Sequence, residues 1–455
     1  MVFSSLEFIC LFLPAFLLFY YSLPKKRTAV LVTFSLVFYA YGEPVWVIVL
    51  LISGIADYFH GLIIQRHPRG WQKKAALYSS LIINLGILTA FKYSGFIAEN
   101  VNMAFGTKFA PPGFSLPLGI SFYTFQTLSY TIDVYRGTIQ AQPSILVFLS
   151  YVSMFPQLVA GPIVRYADIE KDLIARVHTA EAFSAGITRF CAGLGKKVLL
   201  ANSAGIAVET LLGENARLTV AGCWLGIAFF AFQIYFDFSG YSDMAIGLGK
   251  MIGFHFLENF KCPYASLSVA DFWRRWHISL STFFRDYIYI PLGGNKRRHA
   301  LNLLIVWFLT GLWHGASWNF ILWGLYYGLL LLIEKLLKKS LQRVPAFFRW
   351  LFTFIAVLVG WAIFYFTDLA RLGEFFRVAF GGGPASSFVD ESIFFTNIFL
   401  LAVLFIASMP LGASLASRMR AKAAILEPIA NLALLAACFA MLVGQTYNPF
   451  LYFRF

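Results

Sequence analysis

Long apolar runs separated by short polar breaks dominate this chain from end to end. A helix needs about 20 mostly apolar residues to cross the hydrocarbon core of a bilayer. Runs of that kind lie near 6–22, 28–41, 44–65 and 75–92. Others lie near 145–163, 183–206, 218–237, 241–254, 299–315, 317–335, 346–367, 394–412 and 427–445. The second run is short, and Gly42-Glu43-Pro44 predicts a tight turn into the third. Some runs are short or polar enough to be half-spans, which predicts about 11 full crossings. The first 22 residues carry no basic start and no clear small-residue cleavage site, so the first run is expected to remain as a helix. The pattern predicts an all-α polytopic membrane protein built as one domain over residues 1–455.

Two stretches interrupt the pattern. Residues 112–136, PGFSLPLGISFYTFQTLSYTIDVYR, are moderately apolar but rich in Ser, Thr, Gly and Pro. Residues 271–294, DFWRRWHISLSTFFRDYIYIPLGG, place Asp271, Arg274, Arg275, Arg285 and Asp286 among aromatics. One charge at mid-bilayer costs about 2.5–3.5 kcal/mol on insertion scales. The second stretch is therefore expected at the interface, or re-entrant and buried around a polar cavity.

Composition agrees with lipid as the main solvent: 59% of residues are hydrophobic and 13% charged, where soluble domains carry about a quarter. The net charge of +14 does not point to nucleic acid, because the basic residues fall in short clusters between apolar runs. The clusters are Lys25-Lys26-Arg27, the 66–74 loop, Lys296-Arg297-Arg298 and the 335–343 loop. Cytoplasmic enrichment of Lys and Arg accounts for such clusters without a ligand. With them and the 418–422 loop in the cytoplasm, the acidic loop 368–392 falls outside. The five cysteines show no paired spacing suited to zinc, so no metal is expected.

Candidate chemistry gathers at three places. His314, in Gly311-Leu312-Trp313-His314-Gly315, sits where one apolar run ends and the next begins. A histidine takes and returns a proton near neutrality, and an ionisable residue inside a membrane domain is a functional candidate. The position equally suits a structural histidine bonded between helices. His277 follows Phe272-Trp273-Arg274-Arg275-Trp276. On a continuous helix Trp273 and His277 would share a face, as would Asp271 and Arg275. Arg274 and Arg275 suit a phosphate-bearing donor, although a basic aromatic helix also anchors in headgroups. The third place is Tyr235-Phe236-Asp237-Phe238-Ser239-Gly240-Tyr241-Ser242-Asp243, where two apolar runs meet. Asp243 there suits orienting a histidine, pairing with an arginine, or capping a helix beginning near 241, with capping or scaffolding favoured. No phosphate-binding Gly-rich loop and no G-x-S-x-G elbow is present, so a reaction would be direct transfer to a hydroxyl activated by a histidine. A secondary transporter or flippase would explain the helices and buried charges as well.

The same residues carry a family resemblance. The chain resembles the membrane-bound O-acyltransferase family, in its bacterial alginate O-acetyltransferase branch. The blocks are the opening Met1 to Ser5, Leu116 to Gly137, Ala160 to Tyr166, Tyr235 to Gly249, Phe272 to Asn295, and Gly311 to Gly315. The resemblance implies a helical shell around a central tunnel in a bacterial cytoplasmic membrane. It implies that His314 and His277 are the catalytic-motif histidines, with Trp273, Arg274, Trp276, Trp313, Tyr241 and Asp243 binding substrate or lining the tunnel. It implies acetyl-CoA, or another acyl thioester, as a cytosolic donor substrate, with no permanently bound cofactor. It further implies transfer toward a surface polysaccharide, directly or through an extracytoplasmic or membrane-anchored partner. D-alanyl transfer to teichoic acid is a relative's reaction and the alternative within the family. The branch often carries Arg where Tyr365 stands, and the last 90 residues hold no motif of the family.

Overall fold

Backbone groups in lipid must find partners within the protein, which favours helices, and every regular element among the described residues is helical. The structure is a computed structural model that describes residues 1–110, 112–158, 161–412, 414, 426–444 and 450–451. Ala160 and the basic loop 418–422 lie outside the described residues.

Five helices are long and apolar enough to cross a membrane: Val47–Arg66, Trp71–Phe105, Val220–Met251, Trp318–Leu336 and Ala346–Tyr365. The number is seven if two bent pairs each count as one crossing, Phe8–Ser22 with Pro24–Gly42 (106°) and Phe388–Thr396 with Ile398–Ser408 (60°). His299–His314 and Glu427–Leu442 are shorter apolar helices. Large apolar side chains such as Ile52 (53% exposed), Ile82 (71%) and Phe352 (58%) face outward, as expected where lipid is the neighbour.

Several runs divide differently from the expectation. The runs near 218–237 and 241–254 are one helix of 32 residues, Val220–Met251. Gly240 is no break. A Cβ there would come 2.7 Å from the Gly193 carbonyl oxygen, so the residue serves close helix packing. Asp243 consequently lies inside a helix rather than at the start of one. The run near 145–163 breaks at Met154, leaving Ile145–Ser153 and the single turn Phe155–Leu158. The Ser- and Thr-rich stretch forms the helix Ile120–Arg136, buried along most of its length.

The chain divides into two compact units. In the first, Met1–Phe190 with Tyr241–Leu257, a buried polar knot ties three helices. Fully buried Asp57 accepts from Ser80 Oγ (2.6 Å) and Asn84 Nδ2 (2.7 Å), and Asn84 Oδ1 accepts from Ser53 and Thr127. Bonds of this kind hold helices together where lipid removes the hydrophobic drive to associate. The second unit, Cys191–Gly240 with Glu258–Gln445, is built around a tight hairpin of His299–His314 and Trp318–Leu336. Its helices approach closely because Gly311 and Gly324 lack side chains: a Cβ on either would collide with the facing backbone, at Phe320 and Trp307 respectively.

Candidate functional site

His314 is the last residue of His299–His314, and Gly315 takes the chain away in an extended conformation. Helix packing therefore fixes its backbone, and the turn beyond it packs on the Phe320 ring, which a Cβ at Gly315 would overlap. The His314 side chain is 5% exposed. Its ring meets Trp323 edge-on at 4.9 Å between centroids, Phe364 at 5.3 Å and Trp313 at 5.0 Å. The chamber around this imidazole is thus aromatic on three sides.

His277 does not share a helical face with Trp273. The helix Val269–Arg275 ends first, and His277 adopts left-handed backbone angles (φ 44°, ψ 56°) before Ile278–Phe284 begins. That conformation costs a residue with a Cβ about 1–2 kcal/mol, and neighbouring bonds hold it. Asn259 supplies them. Its backbone carbonyl accepts from Ile278 N at 3.0 Å. Its Oδ1 accepts from Ser279 N (3.1 Å) and Ser279 Oγ (2.9 Å), and lies 3.2 Å from His277 Nδ1. An amide oxygen only accepts, so His277 carries its proton on Nδ1 and presents Nε2 as the basic nitrogen. The ring packs on Phe238 at 4.7 Å and faces Trp313 at 6.1 Å. Trp313 is therefore a neighbour of both histidines.

A cavity of about 310 Å³ opens beside this centre. Trp273, Trp307 and Thr310 form part of its wall, and Arg274, Arg285 and Tyr289 also line it. Thr310 precedes His314 by one helical turn. Trp273 stands edge-on to Trp307 (4.7 Å), Trp323 (5.4 Å) and Tyr327 (4.8 Å). Trp323 thus touches Trp273 at the cavity wall and His314 in the chamber. The side chains of Arg274 and Arg285 are 72% and 58% exposed at the edge of an otherwise apolar cavity; Arg285 is paired there with Asp286 at 2.6 Å, which leaves Arg274 the less neutralised of the two. Asp271 pairs with Arg275 at 3.0 Å, as the spacing predicts, and holds Arg274 more loosely at 3.6 Å. Glu334 fixes the entry to this segment by accepting from Val269 N at 2.7 Å.

The remaining candidates are held by other contacts. Trp276 stacks on Phe272 (5.6 Å) and meets Trp361 (4.8 Å) and Phe260 (5.1 Å), on the packed side of its segment. Tyr241 and Asp243 belong to the first unit, where Tyr241 stacks on Phe3 (4.6 Å) and Asp243 pairs with Arg189 (2.6 Å). The arginine partner is one of the roles the sequence allowed for Asp243. The sequence marks Arg285 only as one of the charges of its stretch, and it does not mark Asn259, Thr310 or Glu334. Asn259 lies 18 positions before His277 in an irregular segment, where neither helical nor strand periodicity marks a partner. Two imidazoles among aromatic rings, one with a defined tautomer, beside an apolar cavity edged by Arg274, suit proton transfer to and from a substrate hydroxyl.

Residues 134–373 match the family described as MBOAT, membrane-bound O-acyltransferase family. The chain is 37% identical to the probable alginate O-acetylase AlgI of Azotobacter vinelandii over 500 aligned positions covering all of both proteins. It is 42% identical over 396 positions to that of Pseudomonas aeruginosa, covering 84% of this chain and 75% of the relative. It is 34% identical to the peptidoglycan O-acetyltransferase of Helicobacter pylori, covering 80% and 77%. The teichoic acid D-alanyltransferase of Bacillus subtilis matches at 28% over 51% of this chain and 62% of its own length.

Proposed function

The chain belongs to the membrane-bound O-acyltransferase family, and from that premise we propose that it moves an acetyl group from cytosolic acetyl-CoA toward an extracytoplasmic polysaccharide. Membership of an acyltransferase family displaces the transporter alternative. The longer and closer matches to O-acetylating relatives rank acetyl transfer above D-alanyl transfer. In this reading the single domain crosses the bacterial cytoplasmic membrane about 11 times around a central tunnel. Basic loops face the cytosol, and residues 368–392, which carry the helix Leu369–Ala379, face outward.

The observation that carries the reading is His314, buried in its aromatic chamber at a hairpin turn, with Thr310, one helical turn before it, in the wall of a cavity that Arg274 also lines. His314 removes the proton of the acceptor hydroxyl, whose oxygen attacks the thioester carbonyl. The C–S bond breaks, the thiolate takes the proton back from the imidazole, and the products are free CoA thiol and an O-acetyl ester. His277, held by Asn259, positions donor and base together with Trp273 and Trp313. The acceptor is the sugar hydroxyl or a hydroxyl of an extracytoplasmic partner that completes the transfer. A base role requires activity to fall as acidification protonates the imidazole. A flat profile through that range, with chemistry rate-limiting, would remove His314 from the role.

The direct test is thiol release from acetyl-CoA by purified protein in lipid nanodiscs supplied with acceptor polysaccharide and candidate partner. Acceptor-dependent thiol release supports the reading, and its absence with every acceptor, from a folded sample, would overturn acetyl-CoA as donor. Arg274 is assigned to the anionic part of the donor. We expect Arg274→Gln to raise the acetyl-CoA KM about tenfold with kcat little changed, the signature of lost uniform binding. An unchanged KM would detach Arg274 from donor recognition.

A further inference from the structure

In the first unit, at the 106° bend between Phe8–Ser22 and Pro24–Gly42, four side chains form one hydrogen-bonded chain. Arg27 Nη1 lies 3.1 Å from His178 Nδ1, and His178 Nε2 lies 3.1 Å from the Tyr20 hydroxyl. Arg176 Nη1 donates to the same hydroxyl at 3.2 Å, and Tyr20 donates to the Ile252 carbonyl at 2.8 Å. These partners fix the protons. A guanidinium only donates, so His178 Nδ1 accepts, the ring is neutral, and its Nε2–H donates to Tyr20. Burial, then Arg27 and Arg176, push His178 below the ordinary imidazole value, in keeping with that tautomer. Gly253 lets the elements meet: at φ 81°, a Cβ there would come 2.9 Å from the Val177 carbonyl oxygen.

Two guanidiniums thus join one Tyr20–His178 pair, Arg27 at the imidazole and Arg176 at the hydroxyl. Arg176 also donates to Thr28 at 2.6 Å and lies over Phe254, and Arg27 lies over Tyr20 and Tyr21. Among the described residues neither arginine is paired with a carboxylate. Asp172, four positions before Arg176, is turned to His255 instead, accepting from its backbone N at 2.9 Å. Positive charge set only to fix topology is expected on solvated side chains, as for exposed Arg66 and Arg69 in the 66–74 loop. Here Arg27, Arg176 and His178 are half-buried and held in place, while Lys25 and Lys26 stand exposed beside them. Like charges gathered in this way repel unless an anion joins them. The surroundings are apolar and exposed: Leu18 (66%), Phe19 (50%), Ile174 (72%) and Val177 (66%). Cations next to outward-facing apolar side chains describe the depth at which acyl chains meet headgroups.

We propose that Arg27 and Arg176, with Lys25 and Lys26 at the rim, bind the phosphate of an anionic phospholipid headgroup at the membrane surface. Guanidinium forks match phosphate oxygens in pairs, and juxtamembrane basic clusters attract anionic lipid. The site lies outside the residues assigned to acyl transfer, so it stands or falls separately from that reading.

The test is native mass spectrometry and thermal melting of the full-length detergent-solubilised protein titrated with phosphatidylglycerol, phosphatidylcholine or inorganic phosphate. Phosphatidylglycerol is expected to be retained and to raise the melting temperature, with phosphatidylcholine well behind. Arg27→Gln and Arg176→Gln are each expected to weaken retention about tenfold, the loss of one charge-assisted contact. Variants that retain phosphatidylglycerol like the wild type would overturn the proposal. An equal effect from inorganic phosphate keeps the anion site but overturns a lipid as its source. If neither variant accumulates, the wild-type comparison decides: phosphatidylglycerol held no better than phosphatidylcholine overturns the site.

Discussion

His314→Ala is expected to abolish O-acetylation of the surface polysaccharide while the protein remains in the membrane at its normal amount. Loss of a positioned acid–base group costs about 10²–10⁴-fold in rate, enough to put modification below detection in cells. The ring also fills space against Trp313, Trp323 and Phe364, so His314→Gln is the companion variant that keeps most of the volume. Both should be inactive if the imidazole is the base. Asn259→Ala separates the second histidine from the first. It frees His277 Nδ1 from its orienting oxygen and releases Ser279, so a partial loss of rate is expected. Acetylation at the wild-type level in a stable His314→Ala protein would make His314 a packing residue, and the mechanism would fall although the family would not.

Gly311→Leu is expected to have the largest structural effect. A Cβ at Gly311 would collide with the Phe320 carbonyl oxygen and sit 3.3 Å from the Gly324 Cα. Both obstacles are backbone, so the facing helix cannot yield by rotating a side chain. Overpacking a well-filled core costs about 1–3 kcal/mol, occasionally more, and three further carbons widen the hairpin beyond that. We expect lower accumulation, a melting temperature reduced by several degrees and lost activity, because His314 follows three residues later. Gly86→Ala is the matched control, since a Cβ there meets nothing within 4 Å. It should be neutral or slightly stabilising. Equal melting of the two variants would show that the hairpin is not held by that close approach.

Much of the centre is legible from residue order alone, where local chemistry decides. His314 at the end of one apolar run and the start of another is where the hairpin turns. Asp271 and Arg275, four apart, do pair on a short helix. Legibility fails where tertiary contacts overrule local pattern. Ser239-Gly240-Tyr241 reads as a break between two spans, yet the glycine is there for the Gly193 backbone and the helix continues. Trp273 and His277 have helical spacing, but bonds from Asn259 hold His277 in a left-handed turn that no helical periodicity can reveal. Asp243 suits a cap by its residue type. It sits inside a helix, where its Arg189 partner lies 54 positions away, a distance over which residue order gives no pairing signal.

One buried pair bears on how the protein is made. Lys197 and Asp237 meet at 2.6 Å with side chains only 5% and 3% exposed. They lie on separate apolar stretches joined by the turn near 213–219. Taken singly, Lys197 or Asp237 would be a charge costing about 2.5–3.5 kcal/mol to insert. Together they offer a neutral pair. Insertion of the two stretches together, as a hairpin, is the expected route, since Asp237 follows Lys197 by some 40 residues of the same growing chain.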